Sequence, residues 1–144
     1  MNATARSHRT GRWLAYESSE SGREEIYVRP FPDANSGRWQ LSTGGGDAPL
    51  WARSGKELFY RAPDGAVLGV VVEVTGRTNF RASTPAKLVE GRYLASAGRM
   101  YDVSPNGQRF LMIKRVATDT TSVPREIVVV QNWLEELKRL VPAK

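Results

Sequence analysis

One short phrase recurs three times along the chain. Trp13-Leu14-Ala15-Tyr16 follows Gly11-Arg12, Glu57-Leu58-Phe59-Tyr60 follows Gly55-Lys56, and Arg109-Phe110-Leu111-Met112 follows Gly107-Gln108. Successive glycines of this set lie 44 and 52 residues apart. A strand-and-turn repeat of about 40–50 residues is the period of a β-propeller blade. The repeat constrains the architecture and says little about chemistry.

The second repeat is the most complete and calibrates the others. Pro49-Leu50-Trp51 reads as an inner strand and Ala52-Arg53-Ser54-Gly55 as a turn, with Gly55 free to take positive φ. Glu57 to Arg61 is the second strand, Ala62-Pro63-Asp64-Gly65 a turn, Ala66 to Val74 the third strand and Ala86 to Val89 the fourth. In the first repeat Arg12–Glu17, Glu25–Pro30 and Trp39–Thr43 match the last three strands. The residues before Gly11 carry almost no apolar signal, so no inner strand is expected there. In the third repeat Met100–Val103, Arg109–Lys114 and Glu126–Gln131 match the first three strands, around a hairpin loop at 116–125, and no fourth follows.

The expected fold is all-β: a partial β-propeller of three antiparallel meander blades holding three, four and three strands. The blades span about 11–44, 48–91 and 99–131, after a polar tail at 1–10. A helix is expected at 132–141, with Asn132 as N-cap, Glu135 three residues on, and Pro142 as its stop. Its stripe of Trp133, Leu134, Leu137, Leu140 and Val141 is expected to dock on the last blade. Gly44-Gly45-Gly46 reads as a tight connection between blades. Incomplete blades leave an open strand edge at each end, and open edges are association sites. Two copies joined by those edges would make a six-bladed ring, so self-association is expected; a piece of a longer propeller is the alternative.

Composition narrows the setting. The chain of 144 residues has no apolar run long enough to span a membrane, and Met1 to Gly11 lacks the apolar core of a signal peptide. Zero cysteines exclude disulfides and thiolate metal sites, and fit either cytoplasm or periplasm. The net charge of +6 comes from arginines spread through the repeats. No nucleic-acid recognition motif accompanies them, so a solvated basic surface is the preferred reading.

No catalytic set stands out, and neither a cofactor nor a metal is expected. The one histidine, His8, falls in the polar tail and is read as solvated rather than as a base. The adjacent pairs Glu24-Glu25 and Glu135-Glu136 point different ways on a strand or helix and are read as solvated. Trp13, Trp51 and Tyr101 are expected to pack between blades. Trp51, Tyr101 and Asp102 lie on inner strands, so they are the candidates for a ligand contact on the axial face.

Ser104-Pro105-Asn106-Gly107-Gln108-Arg109-Phe110-Leu111 resembles the Ser-Pro-Asp-Gly hallmark of TolB-like propeller repeats, distant relatives of WD repeats. Glu25-Ile26-Tyr27-Val28 and Gln40-Leu41-Ser42-Thr43 resemble that family's Ile-Tyr-Val strand and closing Leu-Thr. Tyr27-Val28-Arg29-Pro30-Phe31-Pro32, Ser42-Thr43-Gly44-Gly45-Gly46 and Asn132-Trp133-Leu134-Glu135-Glu136-Leu137-Lys138 resemble the C-terminal end of propellers attached to bacterial serine/threonine kinases. The first two turns, His8-Arg9-Thr10-Gly11 and Ala52-Arg53-Ser54-Gly55, keep the glycine and lose the proline and aspartate. No kinase motif is present in the chain. The resemblance implies a non-catalytic module that binds a protein, peptide or ligand, as the sensor or interaction part of a kinase-linked protein. The alternatives are a substrate-gating propeller piece of a prolyl-oligopeptidase-type peptidase, against which the expected helix followed directly by the chain end at Lys144 speaks, and a basic nucleic-acid binder.

Overall fold

The computed structural model describes residues 5–76, 79–91, 93–94, 99–114 and, as backbone, 127–130. Their strands form three antiparallel sheets that follow one another in chain order. The first sheet holds β1 (Ala5–Ser7), β2 (Trp13–Ser18), β3 (Glu25–Pro30) and β4 (Trp39–Gln40). The second holds β5 (Asp47–Trp51), β6 (Glu57–Arg61), β7 (Val67–Thr75), β8 (Asn79–Ala82) and β9 (Ala86–Val89). The third holds β10 (Tyr101–Val103), β11 (Phe110–Ile113) and β12 (Ile127–Val130). Each sheet is a meander, the connectivity of a propeller blade, and the fold is all-β as expected. The helix expected at 132–141 and the loop at 116–125 lie outside the described residues.

The repeated glycine does the same work in each blade. Gly11, Gly55 and Gly107 have φ of 67°, 74° and 75°. Each donates its N–H to the carbonyl three residues back, on His8, Ala52 and Ser104. A side chain at such φ costs strain, so the turn selects glycine even where proline and aspartate have been replaced.

The central blade explains the apolar run of β6. Leu58 and Tyr60 pack into one cluster with Trp13, Ala15, Ile26 and Val28 of the first blade. Phe59 points the other way, into a second cluster with Val67 and with Phe110 and Met112 of the third blade. Both faces of β6 are covered, so alternation gives way to a continuous apolar stretch. β11 is covered on one face and alternates: Phe110 and Met112 are buried while Leu111 and Ile113 are 45% and 46% exposed.

Two strand assignments differ from expectation. Residues 5–10 are not a tail: Ala5–Ser7 form the inner strand β1, paired in register as Ala5 with Tyr16, Arg6 with Ala15 and Ser7 with Leu14. All three β1 side chains are exposed, so backbone hydrogen bonds rather than apolar burial hold it, and no apolar pattern marks it. The first blade therefore has four strands, not three. In the second blade β8 pairs with Val72–Thr75 of β7, beyond the point where β9 pairs with Val67–Gly69. β8 and β9 lie end to end on the outer edge of β7, bent between them at 83–85. The extension carries Phe80 over to Trp13 and Trp39 of the first blade, with ring centroids 5.3 and 5.5 Å away.

Candidate interaction surfaces

His8 braces two blades. It is buried, and its Nε2 lies 2.9 Å from the Gly55 carbonyl in the turn of the second blade. The Thr10 N–H donates to Nδ1 at 3.2 Å, which makes Nδ1 the acceptor and Nε2–H the donor to Gly55. The ring also meets Trp51 edge-on, with centroids 4.8 Å apart. A Cβ on Gly55 would come within 2.4 Å of His8 Nε2, so the glycine serves both the turn and the close approach. The solvated histidine expected from sequence is thus corrected: turn geometry at Gly11 folds it back against the next blade.

Glu25 is corrected in the same way. It is 1% exposed and heads β3, where its carboxylate accepts the Gly45 N–H at 3.0 and 3.1 Å, the Ser42 hydroxyl and the Arg23 Nε–H. The three-glycine loop supplies the donor that a buried carboxylate requires. Gly46 admits close packing, since a Cβ there would lie 2.9 Å from the Tyr60 ring and 3.0 Å from Ile26.

The second blade is gripped from both sides at one residue. Ala48 has φ of +50°, uncommon for a residue other than glycine. Its N–H donates to Glu17 of the first blade at 3.0 Å, and its carbonyl accepts the Tyr101 hydroxyl of the third at 2.9 Å. Beside it Arg61 makes a two-point ion pair with Asp47, at 2.8 and 2.6 Å. Burial pushes the Tyr101 phenol far above its ordinary range.

The three axial candidates do not converge. Trp51 is buried in the cluster between the first two blades, its indole N–H donating to the Arg6 carbonyl at 3.2 Å. Tyr101 is buried in the other cluster and committed to Ala48. Asp102 is exposed, shares the face of Leu111 through their cross-strand pairing, and accepts from Arg99 at 3.1 Å. Among the described residues no three His, Cys, Asp or Glu side chains gather as metal ligands do, and no helix is long and apolar enough to cross a membrane.

Several concavities are lined by the described residues, three of them as follows. One of about 380 Å³ lies where the turns of consecutive blades meet, lined by Arg9, Arg53, Ser54, Glu57 and Asn106. One of about 440 Å³ sits on the outer side between Trp39, Glu73, Phe80 and Arg81. A third, of about 330 Å³, runs along Asp102, Val103, Phe110 and Leu111 on the open face of the third blade.

Counting from the repeated glycine shows what the outer blades leave open. Each blade has a back, toward the preceding blade, and a front, toward the following one. The third and fifth residues after the glycine face back: Leu58 and Tyr60 bury against the first blade, Phe110 and Met112 against the second. Leu14 and Tyr16 hold those positions in the first blade and are only half-buried. The fourth residue faces front: Ala15 and Phe59 are covered by the next blade, whereas Leu111 is exposed, as is Ile113 two residues on. Polar groups partly tile the open back of the first blade. Arg29 donates to the Tyr16 hydroxyl at 2.6 Å, and Arg38 lies 5.1 Å from the centre of the Tyr27 ring.

No protein-family model matches the chain, and no curated protein matches it in sequence. Among solved structures it is similar to a putative TolB from Agrobacterium tumefaciens, with a TM-score of 0.59 and 17% identity. The match covers 90% of this chain and 44% of that one, so the chain spans less than half the length of the protein it resembles. At this identity the likeness is one of fold, and the three blades carry the TolB-like β-propeller fold.

Proposed function

We propose that the chain is a non-catalytic, protein-binding scaffold module, a TolB-like propeller segment serving as the sensor or interaction part of a kinase-linked protein. The observation that carries the binding role is the front of the third blade. Leu111 stands exposed there at the position that the other two blades bury as Ala15 and Phe59, and Ile113 is exposed beside it. Exposed apolar side chains grouped on one face, beside a concavity, are the usual mark of a protein contact. The side chains that the sequence offers for acid–base work are engaged in holding blades together, His8 on Gly55 and Glu25 on the glycine loop. The kinase link is supported by the resemblance of Tyr27–Pro32 and Ser42–Gly46 to kinase-attached propellers.

A photo-crosslinking residue at Ile113 tests the binding role. It is expected to capture a protein adduct in cells, whereas the same residue at Arg12, in an exposed turn, is not. Equal yields at the two positions, or none at either, would refute the reading. Sequencing the coding region upstream of Met1 tests the kinase link, with in-frame kinase catalytic motifs as the expected result.

A further inference from the structure

We propose that the concavity where the turns of the three blades meet is a binding site for an acidic peptide segment, one that carries two or more aspartate or glutamate side chains. The site is separate from Leu111 and Ile113. It goes beyond the protein contact described above, and either can hold without the other.

The repeated turn itself builds the site. Thr10, Ser54 and Asn106 stand just before the three glycines, and each accepts the N–H two residues on: that of Arg12 at 3.4 Å, Lys56 at 3.2 Å and Gln108 at 3.2 Å. A hydroxyl or an amide thus does the work of a turn aspartate, and the turns keep their shape without a carboxylate. Residues 8–12, 52–56 and 104–109 hold five arginines and lysines and no aspartate or glutamate. Arg9 and Arg53 occupy the same place in successive turns, and both line the one concavity of about 380 Å³, with Arg12 and Lys56 outside it. Both are exposed, and among the described residues neither makes an ion pair. Elsewhere Arg23, Arg38, Arg61 and Arg99 each hold a carboxylate.

Two guanidiniums, each able to grip a carboxylate or a phosphate through paired N–H donors, call for a ligand with at least two anionic groups. The rest of the lining selects a peptide over a polyphosphate. Glu57 is half-buried in the same concavity, its Oε2 3.4 Å from where a Cβ on Gly107 would lie. A carboxylate there repels a phosphate chain and can accept a main-chain N–H of a peptide. The Ser54 hydroxyl, which accepts from Lys56, keeps its own proton to donate to a peptide carbonyl. No aromatic ring is among the described residues that line the concavity, so a nucleic-acid base has no stacking platform.

Titration of a fluorescein-labelled hexaglutamate peptide with the full chain, read by fluorescence anisotropy, is the test. Saturable binding that weakens with added salt is expected. Arg9→Ala and Arg53→Ala together are expected to lower the affinity by about tenfold or more, the effect of removing two charge-assisted contacts. Arg81→Ala with Lys114→Ala removes the same charge from exposed positions outside the concavity and is expected to change affinity by less than about twofold. Circular dichroism checks folding, and Arg53→Ala alone serves if the double variant misfolds. Absence of saturable binding overturns the proposal, as does an equal loss in the two pairs of variants, which would mean diffuse attraction to a basic surface. An oligothymidylate of the same charge that binds more tightly through Arg9 and Arg53 also overturns it, by making the site one for polyphosphate. A failed titration beside a productive crosslink from Ile113 would overturn this site and leave the protein contact of the third blade standing.

Discussion

Replacing His8 by alanine probes the joint between the first two blades. The substitution removes the Nε2–H donor 2.9 Å from the buried Gly55 carbonyl and the edge-on contact with Trp51 at 4.8 Å. Losing the donor while leaving a buried acceptor costs about 1–3 kcal/mol. The ring contact adds about 0.5–1.5 kcal/mol. The sum, about 1.5–4.5 kcal/mol, is a large part of the 5–15 kcal/mol that holds a typical domain together. Urea unfolding followed by tryptophan fluorescence reads it as a lower midpoint. Arg9→Ala, one residue along and exposed, is the control and is expected to move stability by less than about 0.5 kcal/mol. A His8→Ala effect as small as the control would refute the brace and return His8 to solvent.

Three further outcomes are expected. Tyr101→Phe removes the hydroxyl that donates to Ala48 and should cost about 1–3 kcal/mol at neutral pH by urea unfolding. The unfolded phenol ionises near pH 10 and the folded one higher, so its contribution is complete below about pH 10 and is lost as pH rises further. Repeating the unfolding up to about pH 11 should show the variant losing less stability than the parent in that range, by up to about 1.4 kcal/mol per pH unit. Glu25→Ala leaves the Gly45 N–H and the Ser42 hydroxyl without their acceptor and should lower stability by about 2–4 kcal/mol, seen as a lower thermal midpoint. Phe59→Ala opens a cavity between the second and third blades and should cost about 3–5 kcal/mol, while Val71→Ala on the surface stays within about 0.5 kcal/mol.

The parts of the fold legible in sequence are those written locally. Gly11, Gly55 and Gly107 mark their turns because positive φ is a property of one residue and its neighbours. The run Glu57–Arg61 reads as a strand because burial on both faces leaves an apolar stretch. The parts that escaped depend on distant partners. β1 is three exposed residues whose strand character comes from the backbone of Leu14–Tyr16. His8 is buried by a carbonyl 47 residues away, and Glu25 by a loop 20 residues on. β8 extends the outer strand because Phe80 finds Trp13 and Trp39, an attraction with no trace in the local pattern. The axial candidates failed to converge for a similar reason. Alternation along β10 sends Tyr101 into the core and Asp102 to the surface, and Trp51 turns its indole to the neighbouring blade. The faces that the structure leaves open lie on β2 and β11, within the phrase that the sequence repeats.

β11 packs one face on the central blade and leaves the other free to receive a partner. The absence of cysteine makes thiol labelling of single-cysteine variants a direct reading of it. At nanomolar concentration, cysteines at Leu111 and Ile113 are expected to react at rates close to those of the unfolded chain. Those at Phe110 and Met112 are expected to be strongly protected. Equal protection at all four positions, or protection with the opposite alternation, would contradict the account.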